Sequence, residues 1–186
     1  MHPLNLTEPE IRQRLWMELE RAVQDRHHEW RTPVLASVGM DGTPNARTVV
    51  LRGADAKTQT LAFYTDRRSP KIADLSHKSA AMLVFWSKRL NWQLRVRVAM
   101  EVQTTGEQVD AVWQHLSQSA AAGDYLSMDA PGDALLAGQD SSVALTGAHQ
   151  LAILFAHVIE IDWLELRRAG HRRASIGAIT WQWLVP

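Results

Sequence analysis

Residues 92–102 alternate. Leu94, Val96 and Val98 fall on one side and Gln93, Arg95 and Arg97 on the other. A period of two sends successive side chains to opposite faces, so this stretch predicts a strand with one buried and one wet face. It has many companions. Residues 80–86 (AAMLVFW) are almost wholly apolar and predict a central strand. Residues 32–38 predict a strand ahead of Asp41-Gly42, a pair suited to a tight hairpin turn. Pro44-Asn45 delays the next strand, expected over residues 48–51 within 47–52. A polar turn at 53–59 then returns the chain into an aromatic run at 61–65. Later, residues 151–166 read as strand-rich, Gly170-His171 as a turn, and 172–176 and 179–184 as closing strands. Meandering strands of this kind argue for an antiparallel barrel closed on itself. The fold class predicted is mainly β with flanking helices.

The helices have their own signals. Thr7, Pro9 and Glu10 form a capping box with proline in the first turn, and Ile11, Leu15, Leu19 and Val23 make one apolar stripe bordered by Trp16. These predict an N-terminal helix over 7–28. Residues 107–116 predict another, with Val109, Val112, Trp113 and Leu116 on its apolar side. Residues 117–147 are rich in Ala, Gly, Asp and Ser, and Pro131-Gly132 breaks them.

At 186 residues one domain, 1–186, is expected. The formal net charge is zero, which argues against a nucleic-acid binder and permits self-association. There is no cysteine, so thiolate chemistry is absent. No apolar run has membrane length and no signal peptide is visible, so a cytoplasmic protein is expected. His27, His28 and Glu29 lack a second ligand cluster, so no metal is expected and they read as a wet helix end. Neither a glycine-rich dinucleotide fingerprint nor a phosphate loop occurs, so a nucleotide-like phosphate would have to be held by side chains.

Residues 47–71 can do that. Arg47, Arg52, Arg67, Arg68 and Lys71 gather at the ends of one hairpin, with hydroxyls on Thr65 and Ser69. Ser69 is placed to cap a helix over 71–77 with Pro70 just inside it. A capped helix start beside guanidinium forks suits an anion. The same residues also make an ordinary solvated turn, and both readings stand at this point.

The order Arg47-Thr48-Val49-Val50-Leu51-Arg52, Phe63-Tyr64-Thr65, Arg68-Ser69-Pro70-Lys71 and then Trp92-Gln93-Leu94-Arg95-Val96 resembles the pyridoxamine 5'-phosphate oxidase family, over roughly residues 30–186. The resemblance implies an FMN-binding split β-barrel, and a homodimer with cofactor sites at the subunit interface. It implies phosphate ligands at Arg47, Ser69 and Lys71, with Arg68 as an additional candidate. Val49, Val50, Leu51, Tyr64 and Thr65 would line the ribityl and ring, and Arg52 would stand near flavin and substrate. Gln93 would touch the ring. Trp163 and Arg173, ten residues apart, match a pair that reaches the flavin from the partner subunit. Read without the resemblance, they are a core tryptophan and a solvated arginine.

The substrate half departs from the family pattern. His115 stands near the family's Tyr position, Ser119 near its Arg, Gly123 near its Ser, and Ala169 on its C-terminal Arg. Only Arg52 and His171 match substrate-side positions, with Arg167 and Arg168 close by. The resulting expectation is an FMN-dependent oxidoreductase on an unidentified small molecule, and a poor pyridoxamine 5'-phosphate oxidase. The other class is a non-catalytic flavin-binding carrier or sensor.

Overall fold

The structure, a computed structural model, describes residues 6–134 and 148–186. Among the described residues, nine strands form one antiparallel sheet. They are β1 (Val34–Val38), β2 (Pro44–Thr48), β3 (Leu51–Asp55), β4 (Thr60–Asp66), β5 (Ala80–Ser87), β6 (Trp92–Gln103), β7 (Leu151–Glu165), β8 (Arg172–Gly177) and β9 (Trp181–Leu184). The spatial order is β2-β1-β5-β6-β7-β4-β3, with β8 also paired to β7 and β9 paired to β8. The path ends at β2 and β3, which do not pair, so the expected closed barrel is instead an open one.

β7 is the spine. Its first half pairs with β4, residues 153–165 pair with β6, and its second half pairs with β8. Its burial explains its sequence. Leu151 to Leu154 are buried in succession because the core takes one face and α3 (Glu107–Leu116) covers the other. Beyond His157 the outer face is open, and charged Glu160 and Asp162 alternate with buried Ile161 and Trp163.

α1 (Glu8–Gln24) starts on the expected capping box: Glu10 accepts from the Thr7 backbone N–H at 2.7 Å. It buries Ile11, Leu15, Leu19 and Ala22. Each large apolar side chain so buried contributes about 1.5–3 kcal/mol. The helix stops four residues short of the expected end, at Asp25, whose carboxylate takes the His27 N–H at 2.9 Å and ends the winding. His28 is not wet. It is buried with Glu18, Nε2 to Oε2 at 2.9 Å, while its Nδ1 accepts from the Trp30 N–H. Arg89 closes the same carboxylate from the β5–β6 turn, so this cluster fastens α1 to the sheet. Among the described residues no group of metal-ligating side chains converges.

The strand expected over 48–51 is split. Pro44–Thr48 already pairs with β1, Val38 opposite Pro44, and the chain leaves the sheet at Val49 and Val50 before β3 begins. Pro44 delays nothing, because β2 is an edge strand and its missing N–H goes unneeded. The Asp41-Gly42 turn forms as expected, with Gly42 at φ +83°. The abundant tryptophans are largely internal. Trp30, Trp92 and Trp163 are fully buried within one chain, and Trp86 and Trp183 are the exposed pair. The 107–116 helix forms with the expected bounds, and residues 135–147 of the Ala/Gly/Asp/Ser-rich segment lie outside the described residues.

Candidate functional site: a cation cradle and a second face

Three elements build the cradle. β2 supplies Arg47, β4 supplies Thr65, and the start of α2 (Pro70–His77) supplies Ser69 and Lys71. Lys71 Nζ donates to Thr65 Oγ1 at 2.8 Å and to Ser69 Oγ at 2.7 Å. Ser69 occupies the N-cap position of α2, yet its hydroxyl makes no capping bond and is turned to the lysine instead. No carboxylate lies within ion-pair distance of Lys71 among the described residues. Burial pushes its ammonium pKa below the usual value, the neighbouring Arg47 charge pushes it the same way, and the Asp66 carboxylate offsets them only in part. Two cations are therefore held together against their own repulsion, an arrangement that an anion would relieve.

Arg47 is aimed from below. One guanidinium nitrogen donates to buried Ser37 Oγ at 2.6 Å, and another lies 4.0 Å from Asp74 on α2. Asp74 also accepts from the Met40 N–H at 3.3 Å and from Asn45 at 3.4 Å, tying α2 to the β1–β2 hairpin. Ser37 and Asp74 support the site without having been singled out in the sequence. Their only sequence trace is that each sits as a polar residue amid an apolar pattern.

Arg68 does something else. Its guanidinium meets buried Asp66 at 2.7 and 3.1 Å and donates to the carbonyls of Ser127, Met128 and Asp129. The Asp66 carboxylate raises its pKa. It staples the 127–129 loop to the cradle's rim, and its fork is fully engaged. Arg67 likewise bonds Gln150 at 2.7 Å.

The lining residues divide. Leu51 is buried in the core, so only its backbone is open to a ligand; Val49 and Val50 are half-buried in the gap between β2 and β3. Tyr64 is half-buried on the outer face of β4, where burial raises its pKa. Arg52 lies 6.0 Å from the Tyr64 ring centroid. Buried Tyr125, which the sequence reading passed over, feels the charge of Arg52 and packs with Leu151 and Ile153 under α3.

Gln93 and Arg173 lie elsewhere, on one row of the outer sheet face. Gln93 is opposite Leu164, which is opposite Arg173, and exposed Trp86 completes the row on β5. Arg173 grips Asp162 through two bonds, at 2.7 and 2.9 Å, which raises its pKa; Arg95 reaches the same carboxylate at 3.3 Å. Arg47, by contrast, shares the face of buried Leu35. Trp163 points inward. Its ring meets Trp92 at 5.2 Å and Trp183 at 6.4 Å, with the Arg172 guanidinium at 5.5 Å, and its indole N–H has no acceptor. His171 sits on the 166–171 loop, lining a 770 Å³ cavity with Arg167 and Arg168, and its Nδ1 accepts from the Arg167 N–H at 3.1 Å.

Residues 13–104 match the family model "Pyridoxamine 5'-phosphate oxidase, FMN-binding domain". The chain belongs to this FMN-binding split-barrel family. FMN is the cofactor of the matched domain. Among curated relatives, the pyridoxine/pyridoxamine 5'-phosphate oxidase of Thermosynechococcus vestitus is 33% identical over 136 residues, covering 73% of this chain and 62% of the relative. That of Myxococcus xanthus is 34% identical over 121 residues, covering 64% and 57%. The chain thus spans about three fifths of these relatives. The fold matches a pyridoxamine 5'-phosphate oxidase-related FMN-binding protein of Nostoc punctiforme, with TM-score 0.74 at 20% identity over 98% of this chain and 100% of that one. It also matches PhzG of Burkholderia lata, solved with tetrahydrophenazine-1-carboxylic acid, with TM-score 0.71 at 17% identity over 98% and 95%.

The cradle fits FMN on its own terms. A phosphate needs several strong donors close together; Lys71, Arg47 and the hydroxyls of Thr65 and Ser69 are such a set, with Ser69 at a helix start and the one ion-paired carboxylate, Asp74, 4.0 Å from Arg47.

Proposed function

We propose that the protein is a homodimeric FMN-dependent oxidoreductase acting on a small molecule, and an inefficient pyridoxamine 5'-phosphate oxidase. The observation that carries the cofactor half is the pairing of Lys71 and Arg47 with no carboxylate on the lysine. Bound FMN supplies reversible two-electron chemistry. The chain's own part is to hold and orient. Lys71, Arg47, Ser69 and Thr65 take the phosphate, and the 49–51 backbone and Tyr64 bound the space beside it. Arg68 fixes the rim rather than binding directly.

The division of the predicted contacts supports the dimer. Arg47 and Lys71 lie on one side of the sheet and Gln93 and Arg173 on the other, so a second copy docking its outer face would bring the two groups together. Exposed Trp86 and Val34 give that face apolar surface, and the Arg95–Asp162–Arg173 cluster gives it charge. Trp163 enters this reading only through its unpaired indole N–H, since its ring faces are occupied.

The substrate half supports the negative clause. Ser119 spends its hydroxyl on the Leu116 carbonyl and the Ala121 N–H, and Gly123 carries no side chain. Ala169 adds no charge to the 166–171 loop. A phosphorylated substrate would find one matched cation, Arg52, where it needs several. The test has two stages. Purified protein is titrated with FMN and riboflavin; equal affinity for both sinks the cradle. FMN-loaded protein is then given pyridoxamine 5'-phosphate and oxygen, and turnover of roughly 1 s⁻¹ or more would overturn the substrate clause. Flavin reduction by small-molecule donors separates an enzyme from a carrier.

A further inference from the structure

Five of the eight tryptophans form one continuous row through the core. Between ring centroids, Trp30 meets Trp92 at 6.4 Å, Trp92 meets Trp163 at 5.2 Å, Trp163 meets Trp183 at 6.4 Å, and Trp183 meets Trp181 at 5.2 Å. Each step is an ordinary aromatic contact. Burial changes along the row: Trp30, Trp92 and Trp163 are fully buried, and Trp183 is half exposed. Trp183 pairs with buried Ala174, whose side chain points away from the Arg173 row, so a partner docked on that row does not cover Trp183. Indole gives up one electron more readily than the aliphatic and phenyl groups around it. Electron exchange falls off exponentially with the gap between rings, so touching indoles pass a charge where separated ones do not.

The rings are not equivalent. The indole N–H groups of Trp30, Trp163 and Trp181 are buried without an acceptor. That of Trp92 donates to Glu165 Oε1 at 3.2 Å, so this ring has a base on its proton. Arg172 and Arg167 lie 3.5 and 3.7 Å from the other carboxylate oxygen and hold the group in place. Cations also lie over the rings. Arg14 is 5.2 Å from the Trp92 centroid, Arg172 is 5.5 Å from Trp163 and 4.9 Å from Trp183, and Arg12 is 5.4 Å from Trp181. A guanidinium over a ring opposes the positive charge that a lost electron leaves behind. Burial opposes it further. The rings over which a guanidinium lies therefore do not keep such a charge as a cation, and Trp92 escapes the cost by giving its proton to Glu165.

We propose that Trp92 is a one-electron redox site, wired to the surface through Trp163 and Trp183, with Glu165 as its proton acceptor. A one-electron oxidant in solution, such as an oxygen-derived radical, takes an electron from Trp183 and is reduced by one. An electron from Trp163 refills Trp183, and one from Trp92 refills Trp163. The Trp92 Nε1–H bond breaks, its proton forms an O–H bond on Glu165, and a neutral indolyl radical remains. A small reductant of the thiol or ascorbate class then returns one electron through Trp183, and Glu165 returns the proton. The net result is an oxidant reduced at the expense of a soluble reductant, with no side chain consumed. The row lies within one chain, so this inference stands apart from the flavin reading.

The test is pulse radiolysis of the full chain in azide solution, with FMN bound and without it. The azidyl radical takes one electron from an exposed indole and becomes azide. Every protein carries Trp86→Phe, because Trp86 is exposed and outside the row. The optical spectrum separates the neutral tryptophan radical from its cation. The Trp86→Phe parent is expected to give a long-lived neutral radical that ascorbate removes. Trp183→Phe should lower its yield, and Trp92→Phe should abolish the long-lived fraction. Glu165→Gln keeps an acceptor for the indole N–H but removes the base, so the signal should stay cationic. An unchanged yield of neutral radical in Trp92→Phe or in Glu165→Gln overturns the proposal. Should those variants not fold, the parent decides alone: an internal acceptor makes the neutral radical form at a rate independent of buffer base, and a rate that rises with buffer base overturns the role of Glu165.

Discussion

Lys71→Met separates what the cradle does for FMN from what it does for the fold. Methionine keeps the side-chain length and removes the charge. In the apoprotein that charge is unwelcome: burial and Arg47 both lower the Lys71 pKa. Its removal relieves repulsion and costs two hydrogen bonds to hydroxyls, each worth roughly 1 kcal/mol net. Opposing terms of similar size leave apoprotein stability within about 1 kcal/mol of the parent. Toward FMN the terms no longer oppose. A bond from an ammonium to a phosphate oxygen is worth roughly 1.5–3 kcal/mol, so FMN affinity should fall about tenfold to a hundredfold. Riboflavin, which lacks the phosphate, should bind the variant and the parent alike. Titration of both flavins and urea denaturation of both apoproteins provide the four numbers needed. Unchanged FMN affinity, or equal losses for the two flavins, would refute the assignment of Lys71 to the phosphate.

The depressed Lys71 pKa sets a pH signature. Between that lowered value and the usual lysine value of 10.5, the unfolded chain holds more protons than the folded one, so the lysine's contribution makes apoprotein stability rise with pH in this window. FMN affinity should fall over the same window as the ammonium is lost, and titrations from neutral to alkaline pH check both signs against Lys71→Met, which should show neither. Arg68→Ala should lower stability, because buried Asp66 loses its partner, and should change FMN affinity less than Arg47→Ala does; denaturation and flavin titration measure the two effects. Light scattering at micromolar concentration should give about twice the 20.9 kDa chain mass, and Trp86→Glu, which puts a charge on the exposed row, should give the single-chain mass.

Local alternation carried most of the architecture. β5, β6, the hairpin turn at Gly42 and α3 lie where periodicity and turn chemistry put them, because β5 and β6 bury one face in the main core and α3 buries one side in the smaller cluster over β7. The misses have non-local causes. Nothing within residues 47–52 says that Val49 and Val50 leave the sheet; that follows from β2 pairing with β1 while β3 pairs with β4, on opposite ends of the strand order. His28 looked wet because its partner Glu18 sits ten residues earlier on a helix face that becomes internal only when Arg89 arrives from the β5–β6 turn.

The cradle makes the same point about function. Arg67, Arg68 and Lys71 are near neighbours in a basic turn, and composition gives them equal claim to an anion. The fold separates them by what it brings within reach. Arg68 meets a carboxylate two residues back and three carbonyls some sixty residues on, so its donors are spent on the protein. Arg67 is drawn to Gln150 at the head of β7. Lys71 bonds to hydroxyls, which orient its ammonium without neutralising it, and the Arg47 charge acts on it more strongly than the Asp66 carboxylate does. A cation so placed is destabilising until an anion arrives, and that unbalanced cost marks it as a ligand contact.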